Sequence, residues 1–207
     1  MIINQLLSPQ VQKKERPSIE KVCELLIIDP TLNESLNDFL LFLAEHKIRP
    51  AWYHTNHYQC TYKGEKVVSI KLGCGYNNIY NKVEISIRTT WHEHLALYDQ
   101  LITDEMREIL TNNFDKCNCC GHADRKTCGN MISFEYYNAK HENICNGSYN
   151  GSLTPTFRLD YASHLDEQFA HIKEFCIAKI NFIDLYRDEF GTMNGSVRGR
   201  RTVVDSW

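Results

Sequence analysis

The chain lacks most of the signatures by which a sequence announces a function. It contains no apolar run of the ~18 residues that a bilayer-spanning helix needs. Its start, from Met1 to Pro9, has neither a basic leader nor a long apolar stretch. A secretory signal is therefore not expected, and cytoplasmic is the default compartment. Neither sign of charge dominates: 23 basic against 26 acidic residues leave a net charge of −3. That balance disfavours nucleic acid as the partner of the whole surface. The phosphate loop G-x-x-x-x-G-K-[ST], the dinucleotide fingerprint G-x-G-x-x-G and the nucleophile elbow G-x-S-x-G are all missing. So are H-E-x-x-H and the zinc-deaminase pairing of H-x-E with P-C-x-x-C.

What is present is concentrated. Of nine cysteines, five fall between Cys117 and Cys145, and the densest stretch reads Cys117-Asn-Cys119-Cys120-Gly121-His122. Thiols in the cytosol stay reduced, so clustered cysteines there bind metal or do redox work more often than they form disulfides. Structural zinc takes four Cys or His ligands in a tetrahedron, and a C-x-x-C turn brings two sulfurs to one ion. Cys117 and Cys120 fit that turn, with Gly121 free to take a positive φ. Cys128-Gly129 repeats its second half. A strand over Met131–Tyr137 and a reversal at Asn138-Ala-Lys140 would return Cys145 close to Cys128. The expected ligand set is Cys117, Cys120, Cys128 and Cys145 on a structural zinc. Cys119, His122 and His141 are candidate replacements for one member. A redox sensor using Cys117, Cys119 and Cys120 is the alternative, because C-x-x-C is also a dithiol spacing.

The rest reads as an α+β domain. Residues 1–17 read as a loosely held arm, 18–190 as the domain and 191–207 as a flexible tail, with 115–150 as a cysteine-rich zinc-binding lobe. A helix is expected over Ser18–Ile28, with Ser18 as its cap. Asp29-Pro30-Thr31-x-x-Glu34 opens another by a T-x-x-E box, and Leu32, Leu36, Phe39 and Leu43 make its buried stripe. Strands follow over Trp52–Tyr62 and Lys66–Leu72. A third alternates Val83, Ile85 and Ile87 with Glu84, Ser86 and Arg88. Short turns between them imply an antiparallel β-meander packed against helices. Two short helices are expected between Trp91 and Phe114, a short strand near Thr156–Asp160, and a long helix over Ser163–Glu189.

Two further groups carry possible chemistry. Trp52, His54, Asn56 and Tyr58, read as one strand, would share a face and line a ligand pocket. His54, His57, His92 and His94 could converge as a metal-dependent hydrolase, although the ordinary reading of His92-Glu93-His94 is a solvated helix start. The motifs Arg49-Pro50-Ala-Trp52-x-x-x-Asn56-x-Tyr58, Tyr62-Lys63-Gly64 and Asn143-Ile144-Cys145, in this order around a cysteine cluster, resemble a group of uncharacterised small cytosolic proteins of clostridia and related bacteria. The resemblance implies a bacterial cytosolic α+β domain and no particular reaction. The expected function is a zinc-stabilised, non-catalytic binding module for a small molecule or a protein, without a membrane role.

Overall fold

The computed structural model describes residues 7–73, 80–89, 94–112, 131–145, 154–159 and 164–190. Helices α1 (Pro9–Glu15), α2 (Ile19–Leu26) and α3 (Pro30–Glu45) come first. Strands β1 (Arg49–His54), β2 (His57–Tyr62), β3 (Glu65–Leu72) and β4 (Val83–Ile87) follow. Then come α4 (Leu95–Asp99), α5 (Asp104–Asn112), β5 (Met131–Tyr136), β6 (Ala139–Cys145), β7 (Thr156–Leu159) and α6 (Leu165–Phe190). The α+β class and the antiparallel meander are as expected. Strands β1 to β4 pair in order, and β7 adds antiparallel to β4 to complete a five-stranded sheet.

Register sorts the side chains of this sheet into two faces. Directly opposed residues share a face. One set of rows is apolar: Trp52–Tyr58–Ile70–Ile85–Phe157, then Cys60–Val68–Ile87 and Leu72–Val83–Leu159. The other set is polar: His54–His57–Lys71–Glu84–Arg158 and Gln59–Ser69–Ser86–Thr156. Helices α2 and α6 pack directly on the sheet, and α3 packs on α6. The apolar rows join one core with Leu32, Leu36, Phe39 and Leu43 of α3 and with Phe169, Ile172, Phe175 and Phe182 of α6.

Several expectations need correction. The span Trp52–Tyr62 is a tight hairpin and not one strand. Asn56 sits at φ 54°, a left-handed angle that asparagine tolerates, and reverses the chain there. Residues 7–17 are no loose arm. They carry α1, whose buried Gln12 accepts from the Asn56 backbone N–H at 2.9 Å and donates to Asn56 Oδ1 at 2.5 Å. Helix α3 is capped by Asp29, whose side chain accepts from the Leu32 N–H at 2.8 Å, two residues before the Thr31 of the T-x-x-E box. Ser18 stands at the start of α2 without a side-chain capping bond.

One residue locks the α2–α3 corner to the sheet. Asn81 precedes β4 at φ 54° and is 2% exposed. Its Oδ1 accepts from the Ile28 N–H at 2.7 Å and the Asp29 N–H at 2.8 Å, and its own N–H donates to the Leu26 carbonyl at 2.8 Å. Removing that oxygen leaves two part-buried backbone donors without their acceptor. Asn81→Ala should lower the unfolding free energy by about 2–4 kcal/mol, and Asn81→Asp, which keeps the acceptor, by clearly less. Urea denaturation of both variants reads this directly. Equal losses would show that the corner does not depend on the acceptor.

Candidate functional site

The polar face of the sheet gathers the chemistry. It begins with an irregularity in β1: Trp52 pairs with Tyr58 and His54 with His57, leaving Tyr53 as an extra residue. Such a bulge re-aims side chains. Here it turns Tyr53 and His54 to the same side as His57. The Tyr53 ring lies 4.9 Å from His54 and 5.2 Å from His57, centroid to centroid. His54 Nε2 and His57 Nδ1 are 2.8 Å apart and share one hydrogen bond. On its other nitrogen, His57 Nε2 bonds the Ser69 hydroxyl. The result is a chain, His54–His57–Ser69, laid across three strands. His57 and Ser69 are buried, while Tyr53 is 50% exposed and His54 is exposed.

Around the chain the cations outnumber the carboxylate. Glu84 accepts from Lys71 Nζ at 2.6 Å and lies 3.5 Å from Arg158 Nε. Burial pushes its carboxyl up, and the two cations more than offset that, so it ends below the ordinary value. Lys66 Nζ sits 5.9 Å from the Tyr53 ring centroid. Arg88 continues the alternation of Glu84 and Ser86 and is only partly exposed. Its backbone N–H donates to the Val67 carbonyl at 2.8 Å. Among the described residues no hydrogen bond or ion pair reaches its guanidinium. Burial lowers the pKa of that group, opposed by Tyr53.

Of the residues read as a pocket wall, Trp52 and Tyr58 turn to the apolar side. Trp52 Nε1 reaches Gln12 Oε1 at 3.5 Å, and the Tyr58 hydroxyl lies 3.1 Å from the Pro17 carbonyl. Asn56 is in the turn, and His54 alone of the four belongs to the polar face. Of the expected histidine quartet, the described residues bring two together. His54 and His57 bond each other, whereas His94 stands at the start of α4 and meets the Tyr186 ring of α6 edge-on at 5.2 Å. His92 lies outside the described residues. Sequence reasoning missed Ser69, Lys71 and Arg88. Their signal was the polar half of the β3 and β4 alternation, which reads as an ordinary solvated face.

The four expected zinc ligands fall almost wholly outside the described residues: Cys117, Cys120 and Cys128 do, as do Cys119 and His122, and of Cys145 only the backbone is described. Among the described residues no group of three or more His, Cys, Asp or Glu is placed to hold a metal. What is described is the frame. Cys145 on β6 pairs with Met131 on β5, three residues beyond Cys128, and the reversal falls at Tyr137-Asn138, both at left-handed φ. His141 Nε2 lies 3.2 Å from the Tyr136 carbonyl. The Tyr136 hydroxyl donates to Asp99 Oδ1 at 2.5 Å and docks this hairpin against α4. Cys23, Cys60 and Cys176 are buried in the core, where burial raises every thiol pKa, that of Cys23 to about 12. These three are packing residues and not reactive thiols.

Elsewhere a cleft of about 480 Å³ opens between α5, β7 and α6, with Glu105, Glu108, Glu167 and His171 on its walls. It is acidic, the opposite of the sheet face. No described helix is long and apolar enough to cross a membrane. No protein-family model matches the chain, and neither curated proteins nor solved structures give a match.

The histidine chain makes stability pH-dependent. Burial, then His54, Lys71 and Arg88, push the His57 pKa from 6.5 down to about 4, with Glu84 opposing. The unfolded chain takes up this proton near its ordinary pKa, whereas the fold holds His57 neutral to much lower pH. Its contribution is complete above about pH 6.5 and is lost as pH falls toward 4, at no more than ~1.4 kcal/mol per pH unit. Urea midpoints measured from neutral pH down to this range should fall more steeply for the native chain than for His57→Gln. Parallel slopes would assign the acid sensitivity to other groups.

Proposed function

We propose that the protein is a zinc-stabilised, non-catalytic binding module whose ligand seat is the polar face of the five-stranded sheet. The observation that carries this reading is the His54–His57–Ser69 chain beneath a half-exposed Tyr53 ring. Polar groups so ordered, next to an accessible aromatic surface, are what a recognition site needs: fixed donors and acceptors beside a flat apolar wall. A protein partner and a small molecule both fit that description, and the compact patch favours the small molecule.

Catalysis fits less well. A serine and histidine in hydrogen-bond contact resemble an activated nucleophile. Acyl transfer, however, also needs donors aimed at the developing oxyanion. Ser69 lies within a strand paired on both sides, to Gln59 and Ser86, so the neighbouring backbone donors serve the sheet ladder. It is also only 9% exposed. The hydrolase alternative needs a third histidine at His54 and His57: among the described residues His94 lies instead on α4 against Tyr186, and His92 is outside the described residues. The redox alternative rests on Cys117, Cys119 and Cys120, and no observation of the fold favours it over zinc.

Zinc at Cys117, Cys120, Cys128 and Cys145 would close a tetrahedron and leave no open position for water, which is a structural role. What supports it is the hairpin register that brings Cys145 opposite Met131. The resemblance to small clostridial proteins agrees with a bacterial domain of this kind.

Two measurements test the reading. Protein purified without added metal should carry about one zinc per chain, lost together with the fold in Cys117→Ser and Cys145→Ser. A metal-free, normally folded protein would overturn the zinc, and zinc retained in the Cys145 variant would move the fourth ligand to Cys119, His122 or His141. For the seat, a metabolite panel read by thermal shift should yield a stabilising compound whose effect disappears in Tyr53→Ala while the unliganded melting temperature stays. A compound equally effective on that variant would place the seat elsewhere.

A further inference from the structure

We infer that the group recognised on the polar sheet face is a phosphoryl dianion carried by a small molecule, held between Arg88 and Lys66 with its organic part against Tyr53. This inference rests on the sheet-face reading above and adds the ligand's chemistry.

Charge is the first argument. The polar rows and their continuation carry Lys66, Lys71, Arg88 and Arg158 against one carboxylate, Glu84. Glu84 is already shared by Lys71 and Arg158, so Lys66 and Arg88 have no acidic partner among the described residues. Two uncompensated cations match a dianion better than the single charge of a carboxylate. The state of Arg88 is the second. A guanidinium partly removed from water normally finds a carboxylate or carbonyl, because desolvating an unpaired charge is costly. Among the described residues Arg88 has none, and its planar fork is suited to two oxygens of a phosphoryl group. The third argument is Tyr53. It lies under Lys66, whose neighbour Val67 accepts the Arg88 backbone N–H, presents half its surface to solvent, and is held by ring contacts with both histidines. A ring so placed offers stacking to a planar substituent.

The same layout argues against a nucleic-acid strand. Tracking a single strand takes several stacking aromatics along a basic groove. Tyr53 and the two histidines against its ring form one cluster at an edge of the sheet, and the cleft beyond Arg158 is lined by Glu105, Glu108 and Glu167.

The test is calorimetric titration of the full chain with phenyl phosphate, benzoate, inorganic phosphate and a short oligothymidylate. Phenyl phosphate should bind saturably and more tightly than benzoate or inorganic phosphate. Its affinity should fall about tenfold or more in Arg88→Gln and a few-fold in Lys66→Gln. Thermal melts confirm that each variant is folded, and Lys66, being exposed, provides the comparison if Arg88→Gln is unstable. Absence of saturable phenyl phosphate binding, or equal affinity in both variants, overturns the inference. Oligothymidylate binding more tightly than phenyl phosphate, and lost in the same variants, replaces the small molecule with a nucleic acid. If phenyl phosphate fails while the metabolite panel yields a Tyr53-dependent ligand, the phosphoryl assignment falls and the binding face stands. If the panel also fails, both fall.

Discussion

Everything in the structure depends on one register held across five strands. Each strand places alternate residues on opposite sides, so a slip of one position would move every isoleucine of the sheet to the wrong face. The rows through Ile70 and Ile85 fit α6 only in this pairing. The rows through Ser69 and Glu84 are then displayed together without further design. The core and the proposed seat are thus two sides of a single constraint. Two irregularities are absorbed without breaking it: the extra Tyr53 in β1, and Val67 in β3, which has no partner in β2.

The second theme is charge segregation on a chain of modest net charge. A value of −3 hides a basic sheet face and an acidic cleft that meet at β7, where Arg158 borders both. Whole-chain charge is therefore a poor guide to what either surface attracts. A small anion approaching this molecule has one favourable destination among these two, and a cation has the other.

Much of the fold was legible because burial leaves periodic traces. The stripe of Leu32, Leu36, Phe39 and Leu43, the alternation of Val83, Ile85 and Ile87, and the long apolar row of α6 all stand in the sequence and in the structure. The Thr55-Asn56 turn was not legible, since it lacks glycine and depends on Gln12 from a distant helix to hold Asn56. The site was legible only in part. Period two tells that Ser69, Lys71, Glu84 and Arg88 point away from the core, but not that they stand beside His57. That follows from register, a relation between segments that no local pattern encodes. His54 and His57 stood apart in the sequence as candidates for metal chemistry, and the structure joins them by a hydrogen bond.

The bulge at Tyr53 has one more consequence. Among the described residues, strand β1 is an outer strand of the sheet with one side unpaired. An open edge invites a strand from another molecule, the first step of edge-to-edge aggregation. Pro50 removes a backbone donor from β1, and the extra residue three positions on breaks the even spacing that an incoming strand would have to match. The distortion that presents the aromatic ring also makes this edge a poor template, so the proposed recognition and the resistance to edge pairing rest on the same few atoms of backbone.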